Sequence, residues 1–289
     1  MSFSPKGLHI IAGRGVAEQS SLRMFDLARG FDSRFQTDAP GAVFPVWSPD
    51  GNHIVFASKR SGRWNLYQRL SNGGGGDELL FKWNEDIFPV SWSQNAGFLL
   101  FVPLLASGQT QYVITMNAKG QPSGKPIAFV QRELGLDPQF SPDRSGPPRW
   151  VAYQFERDGR TEVYLREFDP KSNTLTPANG GEYLVSKGGG TSPRWNPNGN
   201  GKELLYLAPD RSIMSVELTG NVNSPLSSSP PKMIFRPLGI ERASPAGLTV
   251  FSWAISPDGK RFLFPIPVTS TAALPPVYVM LNWTSLLKN

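Results

Sequence analysis

The chain has 289 residues and no cysteine, and it carries a formal net charge of +6, from 29 Lys and Arg against 23 Asp and Glu. The lack of cysteine excludes disulfides and thiolate chemistry. No run of about 18 apolar residues occurs, and the first 20 residues lack an apolar signal segment. We therefore expect a soluble chain without a membrane helix or an export signal of its own.

The positive charges are scattered along the chain, many of them on predicted turns such as Lys59-Arg60. A nucleic-acid-binding protein would cluster these charges on one element. We therefore expect no nucleic-acid partner. Trp83, Trp92 and Trp195 are interpreted as packing residues, not as platforms for bases.

The stretch FPVWSPDGNHIVFAS, residues 44–58, predicts a β-hairpin. Aromatic and β-branched residues on both sides of its turn suit a half-buried strand. Pro49 sets φ for the second turn position, and Gly51 tolerates a positive φ. Two β-prone runs joined by such a short connection are typical of a hairpin.

This hairpin pattern recurs along the whole chain. Its Ser or Asn marker is found at intervals of 44, 45, 48, 55 and 60 residues. A period of this length is typical of propeller blades and not of helical arrays. The markers are Ser4, Ser48, Ser93, Ser141, Asn196 and Ser256.

Each hairpin is followed by a third β-prone segment and, in most copies, by a short fourth one. The unit therefore reads as a four-stranded antiparallel blade. We predict an all-β fold, a single six-bladed β-propeller over residues 1–289 whose first and last blades can be incomplete. A large β-sandwich is the alternative, and the regular marker argues against it. The predicted blades span roughly residues 1–38, 39–83, 84–131, 132–186, 187–238 and 239–289.

Residues with catalytic potential are few. The only histidines, His9 and His53, begin equivalent strands, but no third histidine or HExxH spacing accompanies them. The chain has no Gly-x-Ser-x-Gly nucleophile motif, and its glycine runs lack the lysine of a phosphate loop. The sequence predicts no metal, no cofactor and no catalytic residue.

A binding site is predicted at the mouth of the central channel. In a propeller the first strand of each blade lines the channel, and the loop leading into that strand forms its rim. Four charged residues fall on these segments: Glu85, Asp86, Asp137 and Arg194. Converging polar groups over a hollow indicate a ligand- or partner-binding site. The alternative is that these side chains only cap strands and bond to neighbouring loops.

The turn from Pro45 to Gly51 resembles the Ser-Pro-Asp-Gly repeat of TolB-like six-bladed propellers. The resemblance covers the whole chain and implies the fold more strongly than a function, because one fold hosts many roles. More narrowly, the chain is similar to propeller regions at the C-terminus of bacterial membrane-bound serine/threonine protein kinases. The segments that carry this second likeness are FPVWSPDG, GRWNLYQRLSNGGG, DIFPVSWS, GGGTSPRW, ELLYLAPD and VMLNWTSLL.

The kinase likeness implies an extracytoplasmic sensor or interaction region, whereas a free-standing propeller would be soluble in the cytoplasm. The chain itself contains no kinase motif. We therefore expect a non-catalytic propeller that binds a protein or a small molecule. A hydrolase or lyase with acidic residues in the channel is the alternative.

The two ends of the sequence raise the question of how the ring closes. Little sequence precedes Phe3 to form a first strand, and no spare N-terminal segment is left to complete the last blade. We expect either that the chain belongs to a longer parent or that the ring closes by packing alone. The chain should be a monomer without membrane insertion, whose open edge in the last blade could pair with another strand.

Overall fold

The structure is a computed structural model in which almost all regular structure is β. The exception among the described residues is one 3₁₀ turn at Ala17–Gln19. No helix in this part of the chain is long and apolar enough to cross a membrane. The structure describes residues 1–15, 17–103, 110–131, 136–143, 146–171, 182–221, 224–237, 253–265 and 278–280.

Five antiparallel sheets contain at least four strands each, hydrogen-bonded in chain order, and are called blades 1 to 5. Blade 1 has β1 (Ser2–Phe3), β2 (His9–Arg14), β3 (Ser21–Asp26) and β4 (Phe31–Phe35). Blade 2 has β5 (Ala42–Trp47), β6 (His53–Ser58), β7 (Asn65–Leu70) and β8 (Glu78–Phe81). Blade 3 has β9 (Ile87–Trp92), β10 (Phe98–Pro103), β11 (Thr110–Met116) and β12 (Pro122–Gln131). Blade 4 has β13 (Leu136–Phe140), β14 (Trp150–Arg157), β15 (Arg160–Glu167) and β16 (Tyr183–Leu184).

Blade 5 has a strand that the repeat pattern did not predict. It consists of β17 (Thr191–Trp195), β18 (Glu203–Leu207), β19 (Ile213–Asn221), β20 (Ser224–Ser228) and β21 (Lys232–Phe235). The predicted fourth strand is β21, which pairs with the beginning of β19. The extra strand β20 pairs with the far end of β19, so that a hairpin extends beyond the blade.

The last sheet, called the terminal sheet, has three short strands: β22 (Ala254–Ile255), β23 (Phe262–Phe264) and β24 (Tyr278–Met280). The rest of the predicted last blade, over 239–252, 266–277 and 281–289, lies outside the described residues. Blade 1, for which almost no first strand was expected, is four-stranded, and its first strand has only two residues: Ser2 lies opposite Ile11 and Phe3 opposite Ile10.

The first strands of the sheets form a ring. They lie side by side in the order β1, β5, β9, β13, β17 and β22, and β22 returns to β1. Clusters of buried apolar side chains fill the spaces between neighbouring sheets. The prediction of an all-β propeller with four-stranded antiparallel blades is confirmed. The count of six such blades is not confirmed, because the described residues form five.

The Ser-Pro-Asp-Gly turn is held by its own side chains. The backbone N–H of His53 donates to Ser48 Oγ at 2.9 Å, and the Ser48 hydroxyl donates to Asp50 Oδ1 at 2.5 Å. Gly51 has a φ of 76°, which a residue with a Cβ rarely adopts. Burial raises the pKa of Asp50, but hydrogen bonds from Ser48 and Asn52 outweigh it and hold this pKa below its usual value. The hydroxyl of Ser256 makes the same bond to Asp258.

Three tryptophans each tie a sheet to the one before it. Their indole N–H groups donate to backbone carbonyls of the preceding first strand, which fixes the rotation between sheets as well as their packing. The bonds run from Trp47 to Ser2 at 3.3 Å, from Trp195 to Gln139 at 3.0 Å and from Trp253 to Ser192 at 2.9 Å.

The contact between the terminal sheet and blade 1 closes the ring and is called the closing seam. Its apolar cluster contains Phe3, Ile10, Ala254 and Leu263. Arg261 crosses the seam, because its Nη2 donates to the carbonyl of Gly7 at 2.9 Å and its guanidinium carbon lies 5.7 Å from the ring centre of Phe3. Within the described residues the seam is held by side-chain packing and this bond, not by a strand shared between the two sheets.

Candidate functional site

Three of the first strands are distorted at the same place. In β5, β13 and β17 the pairing register shifts beside a residue that precedes proline. These residues, Phe44, Asp137 and Ser192, have φ values of 51°, 54° and 51°. A positive φ before proline is strained, at a cost of roughly 1–3 kcal/mol. Such bulges re-aim a side chain and concentrate at functional sites, so the inner face of the ring is the candidate site.

Asp137 and Arg194 form a buried ion pair on this inner face. Arg194 Nη1 lies 2.6 Å from Asp137 Oδ2, and the two side chains are only 12% and 3% exposed. Arg194 Nε also donates to the carbonyl of Trp253 at 2.8 Å. Because Arg194 thus joins blade 4, blade 5 and the residue before β22, it links three neighbouring sheets. The Asp137 carboxylate thus has a positively charged partner within the protein.

Asp86 and Glu85 lie on the connection between β8 and β9. Asp86 Oδ1 accepts the backbone N–H of Trp64 at 2.9 Å, so it ties this connection to the loop between β6 and β7. Asp86 also contributes to the raised pKa of Lys59, whose main cause is the hydrogen bond and charge of Glu18. Glu85 differs, because its Oε2 is buried without a hydrogen-bond partner.

An aromatic group that the charge-based prediction missed lies beside Asp86. The Phe44 ring is 41% exposed and meets the Phe88 ring edge-on, with centroids 5.0 Å apart. Phe88 in turn packs against Trp64 at 5.7 Å. The signal was present in the sequence, because Phe44 and Phe88 each precede a proline in a first strand, as Asp137 does.

Of the four predicted site residues, the structure pairs Asp137 with Arg194. Asp86 instead accepts the backbone N–H of Trp64. Of the two histidines, His9 has its Nε2 3.9 Å from Asp26 Oδ2. In the described ranges no group of three His, Cys, Asp or Glu could hold a metal ion.

No family model matches this chain, and no curated protein matches it in sequence. Solved structures match its fold. TolB from Acinetobacter baumannii superposes with a TM-score of 0.61 at 15% identity, over 92% of this chain and 59% of that one. A putative TolB from Agrobacterium tumefaciens gives a TM-score of 0.56 at 17% identity, over 80% of each chain. The fold is therefore that of a TolB-like β-propeller.

An enzyme shares the same architecture. An oligogalacturonate lyase in complex with manganese superposes with a TM-score of 0.59 at 15% identity, over 99% of this chain and 89% of the lyase. At such identities the likeness shows the fold alone. The chain also spans only 59% of the length of the Acinetobacter TolB, so neither neighbour defines its activity.

Proposed function

We propose that this protein is a non-catalytic binding propeller that recognises a protein partner at the channel mouth around Phe44. One observation carries the proposal. A bulky aromatic residue is held at a φ of 51°, before a proline, with 41% of its surface exposed. Exposed aromatic residues in preformed positions supply much of the affinity of protein interfaces.

The surroundings of Phe44 support this role. The Phe88 and Trp64 rings behind it are buried, so Phe44 is backed by a rigid apolar wall. Asp86 and the Lys59–Glu18 pair, 2.7 Å apart, supply charged groups near this wall. An apolar centre with a polar rim is the usual anatomy of an interface.

The test is a comparative capture experiment with the immobilised full chain and an extract of the source organism. Phe44→Ala should lose the specific partner that the wild-type chain retains. Phe31→Ala is the matched control, because Phe31 is 64% exposed but lies on the outermost strand of blade 1. Identical capture by the wild type and Phe44→Ala, or equal loss in both variants, would contradict the proposal.

A finer form of the proposal is that the partner-binding propeller is the sensor region of a bacterial receptor-type serine/threonine kinase, outside the cytoplasm. It is supported by the sequence likeness of segments such as GRWNLYQRLSNGGG and VMLNWTSLL. Sequencing the DNA upstream of Met1 in the source genome tests it. A reading frame that continues into a kinase domain and a membrane helix is expected, and a stop codon with a ribosome-binding site would refute it.

We also propose that the terminal sheet is the sixth blade and that the protein is a monomer. The position of β22 between β17 and β1 supports the first statement, because it places this sheet in the ring like the other five. Sedimentation of the purified chain at several concentrations tests the second.

The alternative function is a propeller hydrolase or lyase with acidic residues in the channel. The fold likeness to the oligogalacturonate lyase favours it. The pairing of Asp137 with Arg194 disfavours it, because this buried carboxylate of the inner face already has a positively charged partner. Incubation with oligogalacturonate and Mn²⁺, followed by ultraviolet absorbance of unsaturated products, decides the question. Sustained product formation would replace the binding proposal.

A further inference from the structure

Four asparagines in the chain directly precede a glycine, which makes them candidates for spontaneous deamidation. Because glycine has no side chain to shield its backbone nitrogen, this nitrogen can attack the side-chain amide of the asparagine before it. Asn72, Asn198 and Asn200 lie in the described residues, and all three are exposed to solvent. The fourth, Asn179, lies outside the described residues. Sequence and exposure therefore do not distinguish the first three.

Hydrogen bonds distinguish them, because they engage the attacking nitrogen at two of the three sites. The N–H of Gly73, which follows Asn72, donates to the carbonyl of Leu70 at 2.9 Å. The N–H of Gly199, which follows Asn198, donates to the carbonyl of Asn196 at 2.9 Å. Each of these bonds must break before the nitrogen can reach the asparagine side chain, which slows the reaction.

The Asn200-Gly201 pair has a different environment. The N–H of Lys202 donates to the carbonyl of Gly199 at 3.0 Å, so Asn200 and Gly201 are the two central residues of a four-residue turn. Their φ values are 48° and 73°, as a type I′ turn requires. Within the described part of the chain, no acceptor binds the N–H of Gly201. Of the three attacking nitrogens, this one is therefore not engaged in a hydrogen bond.

We propose that Asn200 is a site of spontaneous deamidation and isoaspartate formation. The nitrogen of Gly201 bonds to Cγ of Asn200, the bond from Cγ to Nδ2 breaks, and ammonia leaves with the proton of the Gly201 N–H. The cyclic imide then adds one water molecule and opens at either carbonyl. Opening at Cγ gives aspartate, whereas opening at the main-chain carbonyl gives isoaspartate, whose backbone runs through the side chain.

The product lies at a contact between blades 4 and 5. A Cβ at Gly201 would lie 3.5 Å from Asp143 Oδ1 and 3.6 Å from Ser141 Cβ, so the reacting turn packs against the turn of blade 4. Deamidation adds a negative charge near the Asp143 carboxylate, and isoaspartate lengthens the backbone by one carbon. We therefore expect the reaction to weaken this contact. The site does not use Phe44, so it goes beyond the proposed binding function and fails or stands independently of it.

The test is peptide mapping of the full folded chain after incubation at pH 8.5, because the attack requires a deprotonated glycine nitrogen. Cleavage after Arg194 and Lys202 gives one peptide, residues 195–202, that contains both Asn198 and Asn200. Fragmentation of this peptide locates the converted residue and distinguishes isoaspartate from aspartate. We expect Asn200 to convert at least about fivefold faster than Asn198, the ratio that corresponds to one amide hydrogen bond.

A synthetic peptide of residues 195–202 separates intrinsic reactivity from the effect of the fold. Both asparagines precede glycine in this peptide, and without the folded turn they should convert at similar rates. If Asn198 converts as fast as Asn200 in the folded chain, the proposal is overturned. It is also overturned if Asn200 stays unchanged in the folded chain under conditions that convert the peptide.

Two glycine variants test the effect on the contact between the blades. Asn200→Gly tolerates a positive φ and cannot deamidate, whereas Asn198→Gly is the matched control that keeps Asn200. Incubation should lower the melting temperature of the wild type and of Asn198→Gly, but not that of Asn200→Gly. Equal melting of fresh and fully converted wild type, or an equal decrease in Asn200→Gly, would contradict a weakened contact at this site.

Discussion

Blade 1 has two neighbours in the ring and packs differently against each. Towards blade 2, the shared cluster contains eight buried residues: Ile11, Leu22, Phe35, Ala42, Trp47, Ile54, Phe56 and Tyr67. Towards the terminal sheet, the closing seam has four in the part of the chain that the structure describes. Because buried apolar area is the main stabilising term between sheets, we expect the contact with blade 2 to be the stronger of the two.

Charges add to this difference. Beside the larger cluster, the fully buried carboxylate of Asp77 pairs with Arg60 at 2.7 Å and with Arg69 at 3.0 Å. Arg69 also binds Asp38 at 2.7 Å, and Asp38 and Asp77 each accept the other's backbone N–H at 2.7 Å. The seam has the Arg261–Gly7 bond instead. We therefore expect the contacts that close the ring to differ in strength, and local opening to begin at the closing seam.

The largest expected effect comes from breaking the ion network on the blade 2 side. Asp77→Ala leaves Arg60 and Arg69 partly buried without their shared carboxylate, and should cost about 3–5 kcal/mol of unfolding free energy. Asp32→Ala is the control, since Asp32 pairs with Arg23 at the surface, is 47% exposed, and should cost less than about 1 kcal/mol. Urea denaturation measures both. Equal losses would show that the network adds nothing beyond a surface pair.

The next test compares the two apolar clusters directly. Ile54 and Leu263 are both fully buried, one beside blade 1 and the other in the seam. Each substitution by alanine should cost about 2–5 kcal/mol, with Leu263→Ala at the lower end because the smaller cluster can collapse around the lost atoms. Hydrogen exchange should show local opening of blade 1 and the terminal sheet in Leu263→Ala. Equal protection of all blades from hydrogen exchange in Leu263→Ala would contradict the prediction that the closing seam is the weaker contact.

A smaller effect tests how tightly the seam turn is packed. Gly7 and Gly30 both lie in blade 1, with φ values of 68° and 64°, so alanine is strained equally at each. A Cβ at Gly7 would lie 3.0 Å from Arg261 Nη2 and 3.2 Å from Pro257 Cδ, whereas one at Gly30 would meet nothing within 4 Å. Gly7→Ala should therefore cost about 1 kcal/mol more than Gly30→Ala. Equal melting temperatures of the two variants would show that the seam accommodates the added methyl group at Gly7 without a cost in stability.

The smallest effect is a pH dependence on the terminal sheet. Burial raises the pKa of Asp258, but the Ser256 hydroxyl and the backbone N–H of Lys260 lower it more, so the folded pKa lies below the usual value. Its stabilisation is therefore present above the unfolded pKa of about 3.9 and is lost as the pH falls through the lower folded value. Because the carboxylate is largely exposed, the loss should be under about 1 kcal/mol. Asp258→Asn should flatten the acid limb of the stability curve. If the unfolding free energy of Asp258→Asn depends on acidic pH as that of the wild type does, Asp258 is not the group responsible.

The sequence by itself determined the repeat, the hairpins and the antiparallel four-stranded blade. These features are local, because Pro49 and Gly51 fix turn dihedrals and alternating apolar residues fix which face of a strand is buried. It also placed Asp137 and Arg194 on first strands, since the repeat indicates which segments line the ring. It did not indicate β20, which lies within a serine- and proline-rich segment without an apolar pattern.

Only the tertiary structure decided which of these residues meet. The pairing of Asp137 with Arg194, the bond from Asp86 to Trp64 and the exposure of Phe44 depend on how neighbouring sheets are rotated and how their bulges are aimed. The strain at Phe44 and the unpaired atoms of Trp83 and Glu85 are likewise properties of the assembled ring. The physical reason is that turn and strand preferences act over a few neighbouring residues, whereas the ring brings together side chains from separate blades.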